Sequence, residues 1–470
     1  MQPYNQRVSP LKIPAFSGTD RARRRPQPAT TDQPLLKHLF NIYQKKVHRL
    51  TRRLRAHELY EKAPDNAVVL NRIGLFQTSL DTSAPYFSEF GLARARARLE
   101  LHGPEAAADP RRYLGRVSDF ERRQYALTLA RWDPRAAAAW LAPGEWALKA
   151  AFALAEGNLD AGFEAVRRCR PEIRKSKDLH AILAALHSRA GNFSQSRNLL
   201  NEILTNTRNS ENAPGSPLRL ADFIEENGDL APYPGEEPPL ISVIICAYNA
   251  APYVGTALRS VLSQTYPNIE IISIDDGSQD HTFQHMRQLA SENPRITALR
   301  FPNNGAYASR NIGMRHARGS FITFLDADDI MLPQRVASQL RALALSGASA
   351  TVSRLIRITE DGHLAAPRIF PFVRHNPCSL MMRRSVLRDV GDFDETRYGA
   401  DEEYEHRIAL RLGRNALLRT PDIQTLALHR ADSLTQSPRS GLASAEGRRA
   451  RTAYRESWVR GHLHEATQAR

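Results

Sequence analysis

The period of the hydrophobic positions changes twice along the chain, and the changes divide it. From Pro34, the residues Leu36, Leu39, Phe40, Tyr43, Val47, Leu50 and Leu54 recur at steps of three and four, which predicts an amphipathic helix. Its opposite face carries Lys45, Lys46, Arg49, Arg52, Arg53 and Arg55. Residues 60–205 are dominated by Ala, Leu, Arg and Glu with few β-branched runs, so residues 32–205 are expected to be an all-helical domain. Inside it, ALAEGNLDAGFEAVRR and LHSRAGNFSQSRNLLNE share a step that recurs 34 residues apart, Gly157-Asn158-Leu159 and Gly191-Asn192-Phe193. A 34-residue period with small residues at the crossings suits tetratricopeptide-like helical hairpins. A non-repeating bundle fits as well, because a solenoid usually needs three or more copies. Residues 206–238 are rich in Pro, Gly, Asn and Glu without a period and read as a linker.

Beyond the linker the period shortens to that of strands. LISVIICAY (240–248), IEIISID (269–275), ITALRF (296–301) and GSFITFLD (319–326) are apolar, β-branched runs of the kind buried on both faces of a sheet. Between them lie helical stretches. Val254, Leu258, Val261 and Leu262 form one apolar face, Ser278 or Asp280 is the expected cap of a second helix, and NNGAYASRNIGMRHA (303–317) is a loop entering a third. Such alternation predicts an α/β domain over 239–440 with a mostly parallel sheet flanked by helices. Ligands of these sheets bind beyond the carboxyl ends of the strands. Tyr248, Asp275, Asp276, Asp326 and Asp328 all stand at such ends and are expected on one rim.

Composition narrows this picture. At 470 residues the chain exceeds what one core usually supports, so two or more domains are expected. The opening MQPYNQRVSPLKIP lacks an apolar signal core, and no run approaches a membrane span. Cys169, Cys246 and Cys378 are too few and scattered for a disulfide framework, which makes the cytoplasm the expected compartment. The formal charge of +15 is concentrated at one end: residues 1–56 hold thirteen Lys or Arg against Asp20 and Asp32. That argues against a nucleic-acid binder. It predicts instead a disordered arm over 1–31 and a basic helix whose charges meet an anionic membrane surface or stay solvated on a docked helix.

The chemistry concentrates in FLDADD (324–329), where a buried strand delivers Asp326, Asp328 and Asp329 to one point. Acids so placed repel one another unless a cation neutralises them, and a hard divalent ion, Mn²⁺ or Mg²⁺ with a phosphate, suits such oxygen ligands. Turn chemistry alone also accounts for Asp-rich strand ends, including Asp275-Asp276-Gly277-Ser278. Arg310, early in the third helix, is placed to face a phosphate or to be exposed.

Residues 238–345 resemble the nucleotide-binding half of a family 2 glycosyltransferase of GT-A fold. The matching words are SVIICAYN, SVLSQTYPNIEIISIDDGSQDHT, NNGAYASRNIGMRHARG and FLDADD, in that order. The resemblance implies a nucleotide-sugar donor, usually of UDP, and inverting transfer to a glycan or lipid-linked acceptor. It implies that Cys246, Ala247 and Tyr248 line the base pocket, that Asp275 and Asp276 hold the base, and that Arg310 lies near the diphosphate. Asp326 and Asp328 take the DxD positions with Asp329 beside them, serving ribose and metal. The family's catalytic base lies about seventy residues further on, here within FDETRYGADEEYEHRIALRLG (393–413). Asp401 aligns with it, but Ala400 replaces the preceding Glu, so Asp401 and Glu402 both stand as catalytic candidates. LHRADSLTQ (428–436) resembles a closing loop whose His429 would meet metal or diphosphate, or serve structure only. Residues 441–470 read as a basic helical tail of unassigned role, and the helical domain as a module for a protein partner.

Two other functions fit the sequence less well. A nucleotidyltransferase would want a Gly-rich basic loop after the first strand, where AYNAAPYVG stands. A non-catalytic helical scaffold with a nucleotide-sugar-binding domain is opposed by Asp276, Asp326, Asp328 and Asp401 being present.

Overall fold

The computed structural model describes residues 70–71, 74–81, 88–109, 117–204, 215–224, 237–430, 433, 441 and 444–468. The expected N-terminal arm, its basic helix, most of the linker and most of the loop after His429 lie outside the described residues.

The described N-terminal region is helical. Helices Trp146–Ala155 and Leu159–Arg167 form one hairpin, and Lys177–Arg189 and Phe193–Ile203 form another. Both turn in the same way. Gly157 and Gly191 adopt φ of 77° and 78°, a left-handed conformation open to glycine. The Asn that follows then caps the next helix, Asn158 accepting from Ala161 N at 3.1 Å and Asn192 from Gln195 N at 3.2 Å. The 34-residue repeat is therefore a repeat of turn chemistry. A smaller cluster ahead of it is built around Tyr125 and Trp140, whose rings lie 4.4 Å apart.

The sheet has ten strands: β1 Ile241–Ala247, β2 Ile269–Asp275, β3 Ile296–Arg300, β4 Phe321–Asp326, β5 Ile330–Met331, β6 Ala350–Thr359, β7 Leu364–Ala365, β8 Arg374–His375, β9 Met381–Arg383 and β10 Leu417–His429. Its order is β3-β2-β1-β4-β9-β6-β10-β5, with β7 and β8 also paired to β6. The first four strands are parallel, as the alternation predicts. The remainder is mixed: β9 runs antiparallel to β4 and β6, and β7 and β8 antiparallel to β6. The four residues 360–363 between β6 and β7 are too few for the crossover that a parallel pair requires.

The helical and sheet parts share apolar core. Ala150, Ile182 and Leu200 of the hairpins cluster with Ile356, Leu364, Phe372 and Leu426 of the sheet side. Leu218 and Phe223, within the segment read as linker, are buried in the same cluster. Asp178 also accepts from Val373 N at 2.9 Å. The C-terminal helix Ala445–Gln468 lies against both regions. Its Arg455 and His462 meet Glu402 and Glu403 at 3.2 and 3.0 Å, while its Glu456 accepts from Gln77 N at 2.6 Å. No described helix is long and apolar enough to cross a membrane.

One buried carboxylate ties β2 to β1 and to the segment entering β4. Glu270 on β2 accepts from Ser242 Oγ at 2.6 Å, Arg318 N at 2.7 Å, Arg318 Nε at 2.8 Å and Gly319 N at 3.2 Å. Burial pushes its pKa up, but these bonds prevail and hold it below the usual range. Glu270→Ala is expected to cost about 2–3 kcal/mol, because buried donors lose their acceptor. Urea unfolding at pH 7 checks this. The deficit should shrink as pH falls below about 4.3, since a depressed folded pKa contributes stability only above the unfolded value.

Candidate functional site

Three parallel strands end on one line. In register, Ala247 faces Asp275 across β1–β2, and Cys246 faces Asp326 across β1–β4. Tyr248, just past β1, is 46% exposed, whereas Ala247 is buried. Burial raises the pKa of the Cys246 thiol to about 12, so it is neutral.

The two acids at the end of β2 serve the loops that frame this rim. Asp275 accepts from Ser278 N at 3.3 Å and pairs with Arg300 Nε at 3.1 Å. Asp276, 4% exposed, accepts from Asn304 N at 2.9 Å, Gly305 N at 3.0 Å and Ser309 Oγ at 3.0 Å. It thereby fastens the start of helix Ala306–His316 beside β2. The helix after β2 begins at Thr282 with His281 at the cap position, and Asp280, unlike Ser278, accepts from Thr282 N at 3.0 Å. Both side chains also reach across the rim, Ser278 Oγ accepting from Asn249 N at 2.9 Å and Asp280 from Ala251 N at 3.1 Å.

Helix Ala306–His316 links the remaining candidates. Arg310, 5% exposed, lies between the rings of Tyr307 and Phe324, 5.2 and 5.8 Å from their centroids. Its Nη2 donates to Asp326 Oδ1 at 2.7 Å and to Cys378 Sγ at 3.2 Å. Burial raises the pKa of Asp326, but Arg310 outweighs it and keeps the carboxyl ionised. One turn earlier, Tyr307 OH donates to Asp401 Oδ1 at 3.1 Å. Burial pushes Asp401 above the usual range, although Arg310, the Glu402 amide and Tyr307 pull it down. Glu402 turns instead to Arg455 of the C-terminal helix. Ala400, where the family word has Glu, is fully buried among Phe393, Tyr404 and Ile408, which leaves no space for a carboxylate.

The other acids divide. Asp328 Oδ2 accepts from Arg430 Nε at 2.9 Å, and burial and then Asp326 push its pKa up. Asp329, 6% exposed, accepts from Leu428 N at 3.0 Å and joins the strand end to β10. Burial and the two neighbouring acids raise it well above the carboxylate range. His429 lines a cavity of about 660 Å³ shared with the first helical hairpin and the 364–372 segment. Burial and Arg357 lower its pKa and favour the neutral imidazole.

Among the described residues, no three of His, Cys, Asp and Glu form a ready cation cage. Asp326 and Asp328 nevertheless fit a hard ion that draws its other ligands from a diphosphate and water. Asp328 is held up by burial and the charge of Asp326, the strain that a cation relieves. Tyr307, Arg430 and Cys378 were missed at the sequence level. Only Tyr307 had a usable signal, its three-residue spacing from Arg310 on one helix.

Residues 242–400 match the family model described as glycosyl transferase family 2. An uncharacterized glycosyltransferase of Haemophilus influenzae is 42% identical over 103 residues, covering 22% of this chain and 41% of that protein. The chondroitin synthase of Pasteurella multocida is 34% identical over 129 residues, 27% of this chain and 13% of the synthase. The chain thus spans less than half the length of these relatives. Among solved structures, S. aureus TarS 1–349 in complex with UDP-GlcNAc covers 41% of this chain and 60% of its own at 20% identity, with a TM-score of 0.34. The mannosyltransferase PcManGT from Pyrobaculum calidifontis in complex with GDP-Man and Mn²⁺ covers 52% and 80% at 18% identity, with a TM-score of 0.34. Over residues 242–400, which hold β1 to β9 but not β10, this chain matches the glycosyl transferase family 2 domain.

Proposed function

We propose that the protein transfers a sugar from a UDP-sugar to a hydroxyl of a glycan or lipid-linked acceptor, in one inverting displacement with Asp401 as base. The observation that carries this reading is the double attachment of helix Ala306–His316. Arg310 holds Asp326 and Tyr307 holds Asp401, so two distant acids share one helical turn.

Tyr248 offers an exposed ring for the base to stack on, in the pocket lined by Cys246 and Ala247. Asp276 has an oxygen, Oδ2, engaged by Gly305 alone, and its remaining lone pair accepts an imide N–H of the base. Asp275 braces the turn after β2 by accepting from Ser278 N and pairing with Arg300. Asp326 and Asp328 would hold Mn²⁺ or Mg²⁺, which would supply positive charge to the departing diphosphate. Asp401 takes the acceptor proton, and a raised pKa suits a base working near neutrality. Tyr307 keeps the attacking side of its carboxylate oriented. The arm over 1–56, with its excess of basic residues, adds a peripheral contact with an anionic membrane.

The test is incubation of the full chain with a panel of UDP-sugars and Mn²⁺. UDP should raise the melting temperature only with metal present, and UDP should be released from at least one donor. Chelator should abolish both. Absence of any response to UDP plus metal across the panel overturns the reading.

A further inference from the structure

We infer that Arg357, Arg368 and Arg374 form a receiving site for an oxyanion, a phosphate group carried by the acceptor. Calling the ligand an acceptor rests on the transferase reading; the anion site itself does not.

The three arginines come from one side of the sheet. Arg357 lies on β6 in register with Ala365 of β7, Arg374 lies on β8 opposite Leu355 of β6, and Arg368 sits between β7 and β8. All are partly buried. Among the described residues, no carboxylate makes an ion pair with any of them. Arg357 Nη1 donates to the Leu428 carbonyl at 3.5 Å. The Nε atoms of Arg357 and Arg368 are shut off from water without a hydrogen-bond partner. The acids nearby are already engaged: Glu100 by Arg131 at 2.8 Å, Glu405 by His375 and Arg419, Asp326 by Arg310 and Asp328 by Arg430.

Guanidinium groups keep their charge at neutral pH, so three of them together, desolvated and unpaired, are costly unless an anion joins them. Burial and like charge act on two of the three. Burial, then Arg131 and Arg374, lowers Arg368 to about 9; burial, then Arg357 and Arg131, lowers Arg374 to about 10. Phosphate, with several oxygens for forked N–H donors, is the group that such a set best receives.

Position favours the acceptor over the donor. The row begins at Arg357, whose charge acts on Asp326, Asp329 and His429, and reaches Arg368, which feels Glu402 beside Asp401. None of the three belongs to the β1–β4 half expected to hold the nucleotide. The 660 Å³ cavity beside His429 is lined by Leu154, Glu156, Arg189, Ala366, Ile369 and Phe372, and none of the three arginines lines it.

The test titrates inorganic phosphate into the full chain, with and without saturating UDP and Mn²⁺, and follows melting temperature and heat. Wild type should bind phosphate under both conditions. Arg368→Gln and Arg374→Gln should weaken phosphate at least tenfold while leaving UDP affinity within twofold. In phosphate-free buffer both variants should melt no lower than wild type, since each removes an unpaired charge. Unchanged phosphate affinity, displacement of phosphate by UDP, or lower melting without phosphate each overturns the inference. A chain that binds phosphate but not UDP refutes the donor reading and leaves the anion site standing.

Discussion

Asp401→Asn is expected to lower sugar transfer by about a thousandfold while leaving UDP affinity within twofold; a positioned general base contributes on the order of 10²–10⁴. Asparagine keeps an oxygen for the Tyr307 hydroxyl, now 3.1 Å away, so the change removes the base with little disturbance of its setting. The pH dependence follows from the environment. Burial dominates and raises Asp401, Glu405 adds to it, and Arg310, the Glu402 amide and Tyr307 pull down without cancelling the shift. Transfer needs the carboxylate, so the acid limb of kcat/KM should lie above the ordinary aspartate value of about 4. Tyr307→Phe removes a hydrogen bond that favours the charged form and should move that limb to higher pH still. The sign for stability is opposite. A group with a raised folded pKa binds its proton more tightly when folded, so ionising it costs stability as pH rises. Asp401→Asn should therefore melt at or above wild type at pH 8, which separates lost chemistry from lost folding. Transfer within tenfold of wild type would move the base elsewhere, first to Glu402.

Asp326→Asn should cost transfer a comparable factor, about 10²–10⁴ if metal stabilisation of the leaving group is worth several kcal/mol. It should also remove the metal dependence of UDP binding. Its stability signature differs from that of Asp401→Asn. Arg310 has only 7% of its side chain exposed and would lose its carboxylate partner at 2.7 Å. Asp326 itself is 42% exposed, so water screens the pair, and the expected loss is about 2 kcal/mol, between surface and buried values. Adding Arg310→Met should recover stability but not activity. If Asp326→Asn retained Mn²⁺-dependent UDP binding, the DxD assignment would fail.

The strands that could be read in advance were those with continuous apolar runs. β1, β2, β3 and β4 lie within a residue or so of their expected spans, because burial on both faces leaves a period-free apolar word. β5, β7 and β8 have two residues each and β9 three, too short to carry any pattern. Part of the segment read as linker has the same lesson. Pro, Gly and Glu composition around 206–238 hides Leu218 and Phe223, which are buried against the hairpins and sheet. The Gly-Asn steps were legible because a left-handed glycine followed by a capping Asn is local chemistry.

The acids were legible as a set but not as individuals. Sequence placed Asp275, Asp276, Asp326, Asp328 and Asp401 at strand or helix ends, where a parallel sheet exposes its ligand rim. That follows from short-range rules: an apolar run must be buried, and polar residues at its end must leave the core. Which carboxylate faces which partner does not follow from such rules. Tyr307 and Asp401 are 94 residues apart, Arg430 and Asp328 102 apart, and Asp276 meets Ser309 across 33. Only strand order and helix docking bring those groups together, and with them the division between Asp401 on Tyr307 and Glu402 on Arg455. The unpaired arginines of β6 and β8 belong to the same class. An arginine in a sequence has no sign of whether an acid awaits it; the packed sheet and the helical layer over it decide that.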